Sequence, residues 1–149
     1  MFKFPNYFLI AYALFVLPSI CWSATELPLF QRLGGEKGIH ALAGSFIARL
    51  QSDARLMQNP ELRKLKMRVN PNEAKLALSC ELCKASGGSC KCAQSSFLKG
   101  IHMPSELKPL EWYYLVQDAN SAMEFCKVGP IEKKDLLILL MNLKKKSGL

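Results

Sequence analysis

Apolar side chains in this chain recur at the period of an α-helix, and no segment shows the alternation of a surface strand. From Glu36 to Gln51 they fall on one helical face, formed by Ile39, Leu42, Ala43, Phe46, Ile47 and Leu50. Leu110–Lys127 and Ile131–Lys145 are also predicted as helices, and Pro71–Ser86 as a further one. The sequence therefore predicts an all-α fold.

Asparagine, proline and glycine mark where these helices begin and end. Asn70 precedes Pro71, so Asn70 is predicted to cap a helix whose first position is the proline. Gly87-Gly88 is predicted to end the same helix, because glycine adopts the left-handed conformation common after a last turn. A short basic helix is predicted between Glu61 and Val69, bounded by two Asn-Pro pairs.

Residues 1–23 have the composition of a secretory signal peptide. One basic residue, Lys3, precedes the apolar run Tyr7–Leu17, and Pro18–Ser23 supplies a helix breaker and small residues. The run is only about half of the roughly 20 residues that span a bilayer. Cleavage is predicted, so that residues 25–149 form one exported domain, periplasmic or secreted. An uncleaved anchor in the inner membrane is the alternative.

The chain is basic, with a formal net charge of +8. The charge is spread, with small clusters at 63–68 and 144–146, and aromatic residues do not alternate with it. This pattern indicates a solvated basic surface with a weak attraction to anionic membrane surfaces, and it argues against a nucleic-acid partner.

Four close cysteines, Cys80, Cys83, Cys90 and Cys92, leave three interpretations open. Disulfides from Cys80 or Cys83 to Cys90 or Cys92 are favoured if the protein is exported. A tetrahedral zinc site is the second, although the spacing is not that of a standard zinc finger. Redox exchange between Cys80 and Cys83 is the third. Leu76, Cys80 and Cys83 are predicted to share one stripe of their helix.

Five short motifs, taken in order, carry a resemblance to a known family. They are Leu33-Gly34-Gly35, Phe46 with Arg49 and Asp53, Gly87-Gly88, the spacing from His102 to Trp112, and Val128-Gly129-Pro130. Together they resemble the truncated haemoglobins of group I, over nearly the whole chain after the leader. The resemblance implies a truncated-globin helical sandwich that binds haem b, with His102 as the proximal ligand of the iron.

The resemblance also implies which side chains surround the haem. They are Phe46, Ile47, Ala74, Leu78, Leu82, Leu98 and Trp112. Ile47 stands where the family usually has tyrosine, and Leu78 where it often has glutamine. An apolar distal side lacks a hydrogen-bond donor that would be worth about 1–3 kcal/mol to bound oxygen. We therefore expect weaker oxygen retention and faster autoxidation than in a typical member.

The function implied by the resemblance is binding of oxygen or another diatomic gas at the iron. A nitric oxide dioxygenase-like or peroxidase-like side activity is compatible with it. No Ser/His/Asp set and no phosphate-cradling glycine loop in the sequence indicates a hydrolase or a nucleotide enzyme. The alternative is a haem-free, globin-derived helical domain stapled by disulfides, which would act as an exported interaction or structural protein.

Overall fold

A computed structural model describes residues 27–92 and 107–146 of the chain. The helices are α1 (Leu29–Arg32), α2 (Gly35–Ser52), a 3₁₀ turn (Leu56–Gln58), α3 (Pro60–Arg68), α4 (Pro71–Ala85), α5 (Pro109–Phe125) and α6 (Pro130–Lys146). These two stretches contain no strand, which confirms the all-α class. Neither stretch contains a helix long and apolar enough to cross a membrane. The predicted signal peptide, Leu98 and His102 lie outside the described residues.

The predicted helix boundaries are close to those observed, because the signals that set them are local. The backbone N–H of Asn72 donates to the side-chain oxygen of Asn70 at 2.9 Å, so the predicted cap of α4 is confirmed. Gly87 follows α4 with a φ of 86°, in the left-handed region where a side chain would be strained. The N–H of Gly88 then donates to the carbonyl of Cys83 at 2.8 Å and closes the helix end.

The short helix α1 lies between the start of α2 and the end of α4. Gly34 and Gly35 both have positive φ, which lets the chain turn sharply from α1 into α2. On the other side, the N–H of Phe30 donates to the carbonyl of Ser86 at 2.9 Å. This bond holds α1 against the C-terminal end of α4, beside the loop that carries Cys90 and Cys92.

The core forms where α2 packs against α4 and α5 and where α6 covers α5. A cluster of buried side chains joins Leu42 of α2, Ala122 and Met123 of α5, and Leu136 of α6. Each is at most 7% exposed. Burying a leucine or methionine side chain contributes roughly 1.5–3 kcal/mol, which is why tertiary packing dominates the stability of such helices.

The buried face of α4 differs from the predicted one. Leu76 is 58% exposed, although it was expected to share a buried stripe with Cys80 and Cys83. The small side chain of Ala77 takes that place and is 4% exposed. Since Ala43 of α2 is fully buried as well, alanines on both helices allow α2 and α4 to approach closely, and the larger leucine faces solvent.

Candidate functional site

The structure places six of the predicted haem-pocket residues on α2, α4 and α5. Ala74 and Trp112 are buried, whereas Phe46, Ile47, Leu78 and Leu82 are half-buried. Phe46 and Leu82 both pack against the same buried cluster, which includes Leu42 and Met123. The remaining two predicted pocket residues, Leu98 and His102, belong to the stretch that the structure does not describe.

His40 is the histidine that the structure does describe, and its ring is held in one orientation. The Ser79 hydroxyl donates to the carbonyl of Lys75 at 2.7 Å, so its only proton is committed there. The 3.1 Å contact between Ser79 Oγ and His40 Nδ1 therefore requires Nδ1–H to donate. This leaves Nε2 directed to the other side, 3.8 Å from Glu36 Oε1.

The four close cysteines form two nested disulfides. Cys80 is bonded to Cys92 and Cys83 to Cys90, with Cα atoms 5.6 and 6.2 Å apart. The predicted disulfides from α4 to the following loop are therefore confirmed, and Cys80 is not paired with Cys83. Two disulfides are compatible with an oxidising, exported environment. Within the described residues, no group of three or more His, Cys, Asp or Glu is placed to hold a metal ion.

A cleft of about 240 Å³ opens between α2, α4 and the loop that the disulfides fasten. Its walls are Glu36, Ile39, His40, Leu76, Ala77, Ser79, Cys80, Cys90, Lys91 and Cys92. The cleft could not be predicted from the sequence. The spacing of Glu36 and His40 places both on one helical face, but the contact with Ser79 depends on how α2 and α4 cross.

A second polar cluster joins the C-terminal end of α2 to α5. Asp53 accepts hydrogen bonds from Arg55, which lower the pKa of its carboxyl. The Arg55 guanidinium lies 4.3 Å from the centre of the Tyr114 ring. Burial, and then the charge of Asp53, raise the pKa of the Asp118 carboxyl. This cluster fastens two core helices to each other.

Comparison of the chain with known protein families finds no family that matches, and comparison with curated proteins finds no matching relative.

Proposed function

We propose that this chain is an exported haem-binding globin of the truncated type, which binds a diatomic gas at an iron ligated by His102. The observation that carries the proposal is the order and spacing of five motifs, from Leu33-Gly34-Gly35 to Val128-Gly129-Pro130. Each motif is modest when taken alone. Their succession over nearly the whole length of the domain is what favours a globin.

The predicted haem-pocket residues that the structure describes have side chains compatible with a porphyrin. A haem site needs an apolar slot between helices and a single imidazole. Ala74, Leu78 and Leu82 are spaced four residues apart, so they share one face of α4. Leu82 and Phe46 of α2 pack against the same buried cluster. These residues would hold the macrocycle by contact and keep water out.

Haem would supply an iron with a coordination position for a diatomic ligand. His102 would hold that iron from the proximal side, and its second ring nitrogen would need an acceptor to fix the plane of the ring. On the other side, Ala74, Leu78 and Leu82 carry no hydrogen-bond donor. The proposal therefore includes an apolar distal wall and short retention of oxygen.

A haem-free helical domain is the second candidate, and one observation favours it. Phe46 and Leu82 pack directly against the cluster around Leu42 and Met123, so these side chains already have apolar partners. Two disulfides would add stability that such a domain gains without a cofactor. Its role would then be an interaction or structural one.

The two histidines of the chain provide a matched test. The protein is purified under oxidising conditions and titrated with haem, and absorption spectra are recorded for the wild type, His102→Ala and His40→Ala. We expect a sharp haem band in the wild type and in His40→Ala, and a lost or shifted band in His102→Ala. No band in any of the three would favour the haem-free domain. If the band were lost only in His40→Ala, the iron ligand would be His40, and the assignment of His102 would be wrong.

A further inference from the structure

The two disulfides lie in different surroundings. Cys83 is 1% exposed and does not line the cleft. Its sulfur and the Phe30 ring both lie so close to Gly88 that a side chain at position 88 would collide with the two of them. Cys80 and Cys92 both line the cleft, and Cys92 is half-exposed. One disulfide is therefore partly sealed by an aromatic ring, and the other opens to solvent on the cleft side.

The cleft wall around Cys80 and Cys92 carries groups that assist sulfur chemistry. Lys91 adjoins Cys92 in the chain and lines the same cleft, as does His40. A nearby cation favours a thiolate, which is both the attacking and the leaving species in thiol–disulfide exchange. Because the Nδ1–H of His40 is taken by Ser79, the Nε2 atom, 3.8 Å from Glu36 Oε1, is the one that can accept and release a proton.

We propose that the Cys80–Cys92 disulfide is a site of exchange with small thiols that enter this cleft. The incoming thiolate attacks Sγ of Cys92, which is the more exposed of the two cysteines, and a new disulfide forms between the two sulfurs. The Cys80–Cys92 bond breaks, and its electron pair leaves on the sulfur of Cys80. The imidazole of His40, protonated at Nε2, passes its proton to that thiolate. With a monothiol the product is a mixed disulfide on Cys92 and a free thiol at Cys80.

A dithiol carries the reaction one step further. Its second thiolate attacks the mixed disulfide and releases Cys92 as a thiolate, which takes a proton from water. The dithiol leaves as a cyclic disulfide, so it is oxidised by two electrons while the disulfide of the protein is reduced by two. The exchange is independent of haem, because none of these groups belongs to the proposed haem site.

The Cys83–Cys90 disulfide is expected to resist the same thiol. Cys90 reaches the cleft, so attack at its sulfur is open, but the leaving sulfur would be that of Cys83. Cys83 is only 1% exposed, so a thiolate formed there would be poorly solvated, and a poor leaving group slows exchange. This disulfide is therefore the structural one, which holds α1 and the loop against the end of α4.

The test is a time course of the oxidised protein with reduced glutathione and, separately, with dithiothreitol. Samples are quenched by alkylation, and the free, alkylated and adducted cysteines are mapped by peptide mass spectrometry, which separates them from Cys126. We expect Cys80–Cys92 to open at least about tenfold faster than Cys83–Cys90, and glutathione to be found on Cys92. Equal rates, faster opening of Cys83–Cys90, or an adduct on Cys80 or Cys90 would overturn the proposal.

Two variants separate proton transfer from simple support of the cleft. Gln at position 40 keeps an amide N–H for Ser79 but has no proton to transfer, whereas Ala removes both functions. We expect His40→Gln and His40→Ala to slow the opening of Cys80–Cys92 severalfold and to the same extent. The rate at Cys83–Cys90 in the same samples is the internal control for intact folding. A wild-type rate in His40→Gln would overturn the proton-transfer step.

Discussion

Arg32 of α1 and Glu132 of α6 lie 2.8 Å apart, from Nη1 to Oε1, with side chains only 11% and 17% exposed. The other terminal nitrogen of Arg32 donates to Asp135. The hydrogen bond to Asp135, and then the one to Glu132, raise the pKa of the guanidinium. Arg32 and Glu132 are 100 residues apart in the chain. This fork, formed by Arg32 with Glu132 and Asp135, therefore fastens the first described helix to the last.

Replacing Arg32 is expected to destabilise the fold more than replacing an exposed arginine. Arg32→Ala leaves the carboxylates of Glu132 and Asp135 together without their cation, so the midpoint of thermal unfolding falls. The control is Arg63→Ala on the exposed face of α3, where the change is expected to be small. Circular dichroism melts of both variants test the difference. Equal midpoints would mean that the fork does not stabilise the fold.

Two helical glycines of α2 give opposite predictions for the same substitution. Alanine is favoured over glycine inside a helix by about 0.8–1 kcal/mol. At Gly44 the added Cβ meets only the flexible end of Lys75, so Gly44→Ala is expected to stabilise the protein by up to that amount. At Gly38 the Cβ would overlap the carbonyl of Leu33, and such overpacking costs about 1–3 kcal/mol.

Gly38→Ala is therefore expected to be less stable than the wild type, and Gly44→Ala more stable. Urea unfolding of the two variants, followed by circular dichroism, measures both free energies of unfolding. If Gly38→Ala proved as stable as Gly44→Ala, the close approach of α1 and α2 at Leu33 would be wrong.

The helices could be predicted from the sequence because their signals are local. Asn70 caps α4 through a neighbour two residues away, and Gly87 ends it through its own backbone conformation. Which face of α4 is buried could not be predicted from such local signals. Leu76 and Ala77 are adjacent, and which of them faces α2 depends on the crossing of two helices, which hydrophobicity alone does not set.

The candidate cleft could not be predicted for the same reason, because it depends on how the helices pack. Four cysteines allow three pairings, and their spacing alone does not choose among them. The pairing of Cys80 with Cys92 follows from the path of the loop after Gly87. The histidine that lines this cleft, His40, belongs to α2. Its side chain is 36% exposed, but its contact with Ser79 appears only once α2 and α4 are packed.

The two disulfides predict how many cysteine thiols per chain react in the oxidised protein. Cys126 is the free cysteine among the described residues, and Cys21 lies in the predicted leader. Protein purified under oxidising conditions and denatured without reductant is therefore expected to show one reactive thiol per chain if the leader has been removed, and two if it is retained. Four more thiols than this, in metal-free protein, would show that neither disulfide forms.

Removing the Cys83–Cys90 disulfide is expected to lower the free energy of unfolding substantially. Cys83 and Cys90 close a loop with a sequence separation of 7 residues, for which the loss of chain entropy corresponds to roughly 2–3 kcal/mol. This loop is nested within that of Cys80 and Cys92, so either disulfide still constrains the unfolded chain when the other is absent. Removing both disulfides is therefore expected to cost more than the sum of the two single removals. Denaturant unfolding of the paired Cys→Ser variants tests this, with Cys126→Ser as the control.

Asp118 is expected to destabilise the protein when it is ionised. It is 9% exposed, and its Oδ2 atom has no hydrogen-bond partner. Burial, and then the charge of Asp53, raise its pKa above the ordinary value of 3.8, although Arg55 and Arg49 oppose the shift. The folded protein therefore binds this proton more tightly than the unfolded chain does. The resulting stabilisation is fully present below about pH 3.8 and is lost as the pH rises through the folded pKa.

Asp118→Asn is accordingly expected to be more stable than the wild type at neutral pH, with a difference that shrinks as the pH is lowered. Asp53 supplies the opposite sign, because its hydrogen bonds from Arg55 lower its pKa. It stabilises the fold above about pH 3.8, and that contribution is lost as the pH falls through the lower folded pKa. Asp53→Asn should therefore be less stable than the wild type at neutral pH and approach it in acid. Urea unfolding of both variants from acid to neutral pH measures the two trends, and a loss of stability in Asp118→Asn at neutral pH would show that its partners outweigh its burial.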